Sequence, residues 1–258
     1  MDLLQTIFSN RQDLLWLVVV LFDLGLTVLL FRLFGKAGLY GVIVVNVMLC
    51  NLLGPKITVV FGFNTTMGAI LYSGIYFATD LLSERYGRRE ANRAVMLGFA
   101  ASVSMLALGM MSLLFEPTPD PQKNAFATQM HDATAALFNF TPRFVLGSLL
   151  AYLVSQTHDV WMFHLLKRWT KGRHLWLRNN VSTMSSQLID NVIYGAVVWV
   201  GIFDVWTAIE LGLAKYLFKV IIALLDTPFI YWARSWRMHE KDWVEGEHRQ
   251  LAPESAQA

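Results

Sequence analysis

One long apolar segment indicates the class of this protein: AIELGLAKYLFKVIIALLDTPFIY, residues 208–231. A helix of this length can cross the roughly 30 Å of hydrocarbon in a bilayer, since each residue adds about 1.5 Å. Lys219 lies near its middle, where a charge in hydrocarbon is unfavourable unless it is paired or faces a cavity. The segment therefore predicts a membrane helix with one side turned towards a polar site.

Two other apolar segments carry one short pattern, Ser-Gln-x-x-Asp, as Ser155-Gln156-x-x-Asp159 and as Ser186-Gln187-x-x-Asp190. Residues three apart share a helix face, so each segment presents an amide and a carboxylate together. We expect Asp159 and Asp190 to lie level, because each is roughly 10–12 Å from the same end of the bundle. With Lys219 they predict a central polar site. The competing interpretation is that these groups only hold the helices together.

Composition places the whole chain in the same class. Hydrophobic residues make up 55% of 258 residues, and charged residues make up 16%, against roughly 25% in a soluble domain. A net charge of +2 is too small to predict a nucleic-acid partner. The single cysteine, Cys50, excludes an internal disulfide and a cysteine metal cluster. We expect a polytopic membrane protein in contact with the lipid bilayer, with no metal and no cofactor.

Seven segments are long enough, or nearly so, to span a bilayer. They are residues 14–34, 39–53, 67–82, 94–115, 142–166, 182–203 and 208–231. The second and third are short and are interrupted or preceded by Asn, Gly and Pro, which predicts broken or re-entrant helices beside a cavity. The fold class expected is all-α, a helical membrane bundle.

The distribution of basic residues predicts an orientation. Fifteen of the 21 Lys and Arg residues fall on one side of the predicted spans. By the positive-inside rule, the amino terminus is outside and the carboxyl terminus is cytoplasmic. An outer loop, residues 116–141, has helical spacing of apolar residues in its second half; we interpret it as an interfacial helix, with a moving lid as the alternative.

Several catalytic signatures are missing from the sequence. It has no phosphate-binding G-x-x-x-x-G-K-[ST], no G-x-G-x-x-G, no H-E-x-x-H and no G-x-S-x-G. Their absence argues against an ATPase subunit, a dinucleotide enzyme and the common hydrolases. We therefore expect a protein that is not an enzyme. An uptake protein of this kind must use an ion gradient, an energising module or trapping of its substrate inside the cell.

Several motifs resemble the queuosine precursor transporter family, also called the vitamin uptake transporters. They are NLLGPK at 51–56, NTTMG at 64–68, ATDLLSERYG at 78–87, QTHD at 156–159, STMSSQLID at 182–190 and FKV at 218–220. The resemblance covers roughly residues 40–231. It implies a six-helix importer of the bacterial inner membrane that takes up 7-deazaguanine precursors, 7-cyano or 7-aminomethyl, for queuosine in tRNA.

Two features depart from that family pattern. The first predicted helix is additional to the six-helix core, and Ser73-Gly74 stands where members often carry proline. We therefore divide the chain into an N-terminal extension with the extra transmembrane helix (1–37), the six-helix transporter core (38–236) and a polar cytoplasmic tail (237–258).

The ligand that the resemblance implies suits these polar residues. A deazaguanine presents a ring N–H beside an amine, which a carboxylate can accept as a pair, and its carbonyl needs a donor. Its flat ring would stack on Tyr72, Tyr76 or Trp161. The predicted substrate-binding residues are Asp190, Asp159, Gln187, Gln156, Lys219, Asn191, Asn51 and Tyr76. Those predicted for a gate or a structural ion network are Asp80, Glu84 and Lys56.

Other functions remain open at this point. The substrate could be another flat, vitamin-like heterocycle. An intramembrane enzyme could use the paired carboxylates, and it would be active in detergent without a second compartment. A helical partner protein without transport activity would tolerate loss of the central charges. An energising module or a homo-oligomer is a further candidate partner of a transporter.

Overall fold

A computed structural model of the protein describes residues 8, 11–54, 56–139, 142–199 and 204–236. The predicted tail, residues 237–258, lies outside them. Within this part the chain is a helical bundle with one small β-hairpin. The prediction of an all-α membrane-type fold is confirmed apart from that hairpin.

The first two helices form a hairpin. The helical run Gln12–Leu53 breaks at Gly35, whose φ of 58° and ψ of −134° are outside the helical region. We call the two parts α1 (residues 12–34) and α2 (residues 36–53). Asn46 donates a hydrogen bond to Asp23 at 2.9 Å, although a straight helix would separate them by about 35 Å. The chain therefore reverses at Gly35, as the two predicted spans require.

A β-hairpin connects the second and third predicted segments, 39–53 and 67–82, for which the sequence predicted broken or re-entrant helices. Strands β1 (Ile57–Val60) and β2 (Phe63–Thr66) pair antiparallel. The two residues between them, Phe61 and Gly62, have φ of 49° and 78°, as a type I′ turn requires. Phe61 packs against Trp16 of α1 at 6.1 Å between ring centroids. The hairpin therefore covers one end of the bundle, which we call the hairpin end.

The remaining helices complete the bundle. They are α3 (Gly68–Arg85), α4 (Arg88–Ser112), α5 (Asn124–Phe138), α6 (Pro142–Trp169), α7 (Leu175–Tyr194) and α8 (Val205–Ser235), with a π-helical turn at Gly195–Trp199. Asp204 caps α8 by accepting from the backbone N–H of Trp206 and Thr207 at 3.0 and 3.1 Å. Helix α7 begins at Leu175 and not at the predicted Ser182, so Arg178 lies inside the helix and not in a loop.

Helix α5 confirms the helix predicted in the outer loop. It has no buried residue, and Phe138 at its end packs against α4 at Gly109. Its exposure is typical of a helix that lies on a surface rather than in the core.

The bundle has one continuous apolar core, to which α1 contributes. The ring of Trp16 in α1 lies 5.5 Å from that of Phe218 in α8. By length and composition alone, the run Gln12–Leu53 and helix α4 can cross a membrane, and the bent pair α5–α6 would make a third span. Helices α3 and α7 carry several buried polar side chains, and α8 carries the buried charged residues Lys219 and Asp226. The arrangement of seven spans stays a prediction.

Candidate functional site

A buried ion pair joins α7 to α8. Lys219 Nζ lies 2.6 Å from Asp190 Oδ2, and both side chains are buried. The other oxygen, Asp190 Oδ1, accepts a hydrogen bond from the hydroxyl of Tyr72 at 2.8 Å. The Lys219 ammonium also lies 4.5 Å from the centroid of the Tyr72 ring. The structure thus brings the predicted Asp190 and Lys219 together, and it adds an aromatic partner for the cation.

A cavity of about 80 Å³ borders this pair towards the hairpin end. Six helices, α2, α3, α4, α6, α7 and α8, line it, and among the described lining residues none comes from α1 or α5. The residues that line the cavity include Asn51, Tyr72, Ser102, Tyr152, Asp190 and Lys215. Asn51 donates to Ser102 at 3.1 Å. The cavity therefore combines a carboxylate, amide and ammonium donors, and aromatic walls.

A second group of buried polar residues, which we call the Asp159 layer, lies on the side of the ion pair away from the hairpin end. Ser186 contacts Asp159 at 3.2 Å, whereas Tyr72 contacts both Ser155 and Asp190, at 3.4 and 2.8 Å. Asp159 is therefore level with Ser186, and Asp190 is level with Ser155. The expectation that the two aspartates lie level is wrong, because the antiparallel helices pack with a register about one turn, or roughly 6 Å, different.

The predicted amides lie in the interior near both layers. Gln156 accepts a hydrogen bond from Thr79 at 3.1 Å. Among the described residues, several buried polar atoms have no hydrogen-bond partner: Gln156 Nε2, both polar atoms of the Gln187 amide, Asn191 Nδ2 and the hydroxyl of Tyr76. Buried polar groups are usually paired. These unpaired donors and acceptors are places where water or a polar ligand can bind.

An ion network closes the end of the bundle opposite the hairpin, which we call the Glu84 end. Glu84 contacts Arg178 at 2.7 Å, Lys167 at 3.1 Å and Arg234 at 3.3 Å. Burial raises the pKa of the Glu84 carboxyl, but Lys167 and Arg178 outweigh burial and hold this pKa below its ordinary value. Arg85 binds the backbone carbonyls of Ala233 and Arg234 at the end of α8. This network ties α3, α6, α7 and α8 together.

Three sequence-predicted residues lie away from the places that were expected. Asp80 contacts Thr183 of α7 at 3.1 Å and is fully buried, so it belongs to the Asp159 layer. Lys56 is exposed at the hairpin end, at the opposite end of α3 from Glu84, so it does not join the Glu84 network. Trp161 is 42% exposed and is not among the described residues that line the cavity.

Sequence reasoning missed several residues of this interior. Lys215 lines the cavity, with its Nζ 4.1 Å from the centroid of the Tyr194 ring; its position four residues before Lys219 was a usable signal, because it places both on one helix face. Trp199 also lines the cavity, from a π-helical turn that no pattern indicated. Asp226, buried near the Glu84 end, accepts from Asn179 at 2.7 Å.

Comparison with known proteins agrees with this geometry. A sequence profile described as "Putative vitamin uptake transporter" matches residues 66–233. A "Probable queuosine precursor transporter" of Bacillus subtilis (strain 168) is 37% identical over 223 residues, which are 85% of this chain and 93% of that protein. The "Queuosine precursor transporter" of Escherichia coli (strain K12) is 28% identical over 170 residues, 64% of this chain and 71% of its own length.

A further relative, a "Probable queuosine precursor transporter" of Haemophilus influenzae, is 24% identical over 168 residues, 64% of this chain and 66% of its own. No solved structure matches the chain significantly. The matched region, residues 66–233, holds helices α3, α4, α5, α6 and α7 and most of α8. It therefore includes Asp190 and Lys219, and also Glu84 with its partners Arg178 and Lys167. Since the profile covers more than half of the chain, this protein belongs to the vitamin uptake transporter family.

Proposed function

We propose that this protein imports queuosine precursors, 7-cyano- or 7-aminomethyl-7-deazaguanine, across the bacterial inner membrane for tRNA modification. One observation carries the proposal: a cavity at the meeting point of six helices, bounded by the carboxylate of Asp190. The names of the relatives supply the substrate class. A transporter releases its substrate unchanged, so the proposed activity is not enzymatic.

The chemistry of the cavity suits such a base. Each oxygen of Asp190 keeps a free lone pair after accepting from Lys219 and Tyr72, so the carboxylate can accept the ring N–H and the amine as a pair. Asn51 and Lys215 offer donors to the ring carbonyl. The rings of Tyr72, Tyr152 and Tyr194 line the same space and can stack on a flat heterocycle.

The buried ion pair supports a site of this kind. Lys219 keeps Asp190 charged in a low-dielectric interior, and a charged carboxylate forms stronger hydrogen bonds than a neutral acid. Lys219 thus acts on the ligand through Asp190. The predicted contacts from Asp159, Gln156, Gln187, Asn191 and Tyr76 stay predictions; their side chains lie below or beside the cavity rather than on its described wall.

The proposed membrane arrangement is six core helices plus α1. We assign the six helices that line the cavity to the transporter core and α1, which packs against α8, to the N-terminal extension. The charge asymmetry of the sequence orients the hairpin end outwards and the Glu84 end towards the cytoplasm. The cavity then lies on the side from which an importer receives its substrate. An energising module or a second copy of the chain stays a prediction.

Uptake of another flat, vitamin-like heterocycle is the second candidate, favoured by the family description. Cells unable to make queuosine precursors distinguish the two. We expect this protein, supplied with 7-cyano-7-deazaguanine at low concentration, to restore queuosine in tRNA, measured by mass spectrometry of tRNA digests. Cells with an empty vector are the control. Expressed protein that restores no queuosine with either precursor would contradict the proposal.

A further inference from the structure

The layer around Asp159 holds a second acidic residue in direct contact. Asp80 of α3 lies 3.1 Å from Thr183 and Asp159 of α6 lies 3.2 Å from Ser186, one turn apart on α7, so the two carboxyl groups are neighbours. Both side chains are fully buried. Asp226 of α8 is also buried and is an electrostatic neighbour of both. Three carboxyl groups from three helices therefore share one small interior volume.

This layer lacks the cation that neutralises Asp190. Within the described part of the chain, no ion pair involves Asp80, Asp159 or Asp226. Two carboxylates in contact, away from water and without a cation, repel each other strongly. Such a pair is stable when it shares a proton, because one acid then donates to the other.

Thr183 donates to Asp80 Oδ2 at 3.1 Å, but the neighbouring hydroxyl groups leave other oxygens of the pair without a donor. Ser186 has one hydroxyl proton for two acceptors, the carbonyl oxygen of Ser182 at 2.6 Å and Asp159 at 3.2 Å. The shortest contact takes that proton. Among the described residues, Asp80 Oδ1 and Asp159 Oδ2 have no donor at all. The layer therefore has fewer hydrogen-bond donors than acceptors, and a bound proton adds one donor.

An independent group points at the same place. The amide of Gln156 lies one turn before Asp159 on α6, and it is fully buried. Its oxygen lies 3.1 Å from the hydroxyl of Thr79, the residue next to Asp80, while its Nε2 has no partner among the described residues. An unpaired N–H beside a donor-poor carboxyl pair can bind the ionised form after the proton leaves.

We propose that Asp80 and Asp159 form a proton-binding site, extended by Asp226, which couples proton entry to substrate import. This rests on the proposed transport function. The protonated state keeps the buried layer neutral. Release of the proton towards the Glu84 end leaves a charge that the unpaired amide of Gln156 and the hydroxyls around it stabilise until the next proton binds. No bond other than to the proton forms or breaks.

The surrounding charges agree with a proton rather than a metal ion. The described residues contain no group of three or more His, Cys, Asp and Glu side chains placed to hold a metal. Other titratable groups on the helices packed around the pair include Tyr76, Glu84, His158, Arg178, Asp190 and Lys219. Of these, Glu84 is paired with Arg178 and Asp190 with Lys219. The acids between these two ion pairs therefore have no cation left to neutralise them, and a bound proton is needed instead.

The test uses the full chain in liposomes that enclose a pH-sensitive dye, with labelled 7-cyano-7-deazaguanine as the probe. With acid outside, we expect substrate entry to acidify the lumen and to exceed entry at equal pH several-fold, and a protonophore should abolish the difference. Asp159→Asn should lose this acidification and at least about tenfold in accumulation. It should still exchange labelled for unlabelled base, because exchange needs no proton release.

Asp80→Asn should behave like Asp159→Asn and serves if one of the two variants fails to fold. Asp132→Asn, which alters an exposed acid on α5, should match the unsubstituted protein. Accumulation that is indifferent to the pH gradient, or that follows a sodium gradient instead, would overturn the proton site and leave the transport function intact. Acidification by both Asn variants would overturn it as well. Absence of both uptake and exchange in the unsubstituted protein would remove the transport function itself, and this proposal with it.

Discussion

Asp159 and Asp190 occupy the same position in two copies of one sequence pattern, yet their environments differ. Both are buried. Asp190 has Lys219 at 2.6 Å, whereas Asp159 has another acid as its neighbour. Their pattern and burial are alike, so the difference comes from what α3 and α8 place opposite them. The Asp190 layer can keep a charge for a ligand, and the Asp159 layer requires a proton.

Glu84 extends the comparison to a third layer. It contacts three basic side chains, Arg178, Lys167 and Arg234. From the Glu84 end to the hairpin end, the number of cations paired with an acid thus passes from three, through none, to one. Charged layers on either side of an uncharged one separate the cavity from the opposite end of the bundle, as an importer requires when its site is open to only one side.

Removing the cation from the Asp190 layer should have the largest effect. Lys219→Met leaves Asp190 buried without its partner, which costs roughly 3–5 kcal/mol. We expect uptake of labelled 7-cyano-7-deazaguanine to fall to background and the amount of protein in the membrane to drop. Uptake assays and immunoblots of membrane fractions measure the two quantities.

The matched variant Lys219→Met with Asp190→Asn should recover abundance but not uptake, since the lone charge is gone while the ligand contact is still missing. Normal uptake by Lys219→Met would exclude the pair from the site.

Weakening the Glu84 layer should have a smaller effect. Glu84→Gln removes the negative charge that neutralises Arg178, while the bonds from Arg178 to the carbonyls of Gly172 and Arg173 remain, and we expect a loss of roughly 1.5–3 kcal/mol. The melting temperature of the purified protein measures this loss, and Glu116→Gln in the exposed outer loop is the control. Equal melting temperatures for Glu84→Gln and the unsubstituted protein would show that the network does not stabilise the bundle.

The same layer predicts a dependence on pH. The pKa of Glu84 in the folded protein lies below its ordinary value of 4.5, so its stabilising contribution is complete above that value and is lost as the pH falls through the folded pKa. The melting temperatures of the unsubstituted protein and Glu84→Gln should therefore differ at neutral pH and converge in acid. A difference that grew on acidification would contradict this sign.

The orientation of the three layers can be tested without a change in stability. In a background without Cys50, a cysteine at Asn124 should react with an impermeant thiol reagent in intact cells, and one at Arg173 should react only after the membrane is opened. Both positions are exposed. The neighbouring Gly172 is unsuitable because its φ of 76° would strain a substituted side chain. Equal labelling in intact cells would contradict the predicted orientation.

Much of this architecture could be predicted from sequence. The helices follow from apolar length, and Lys219 stood out as a charge in an apolar segment. The β-hairpin could not be predicted in the same way, because its short strands follow a Gly-Pro pair that also suits a broken helix. The relative height of Asp159 and Asp190 along the bundle could not be predicted either. Distances counted along each helix say nothing about how two helices are shifted against each other.

The partners of the acids were the least predictable part. Asp80 meets Asp159 from a helix far away in sequence, and the sequence pattern around Asp80 suggested a gate with Glu84 instead. Arg178 lies outside the predicted spans 142–166 and 182–203, yet it is a fully buried partner of Glu84. Pairing across helices depends on packing geometry, which a single sequence does not contain.

The central claim is that Asp190, and not Asp159, holds the base in the cavity. Titration calorimetry of the purified protein with 7-cyano-7-deazaguanine tests it most directly. Asp190→Asn replaces a paired acceptor with one acceptor and one opposing donor, a loss of roughly 1–3 kcal/mol, so we expect the Kd to rise about tenfold or more. Asp132→Asn should leave the Kd unchanged. An unchanged Kd for Asp190→Asn, or a larger rise for Asp159→Asn, would contradict the account.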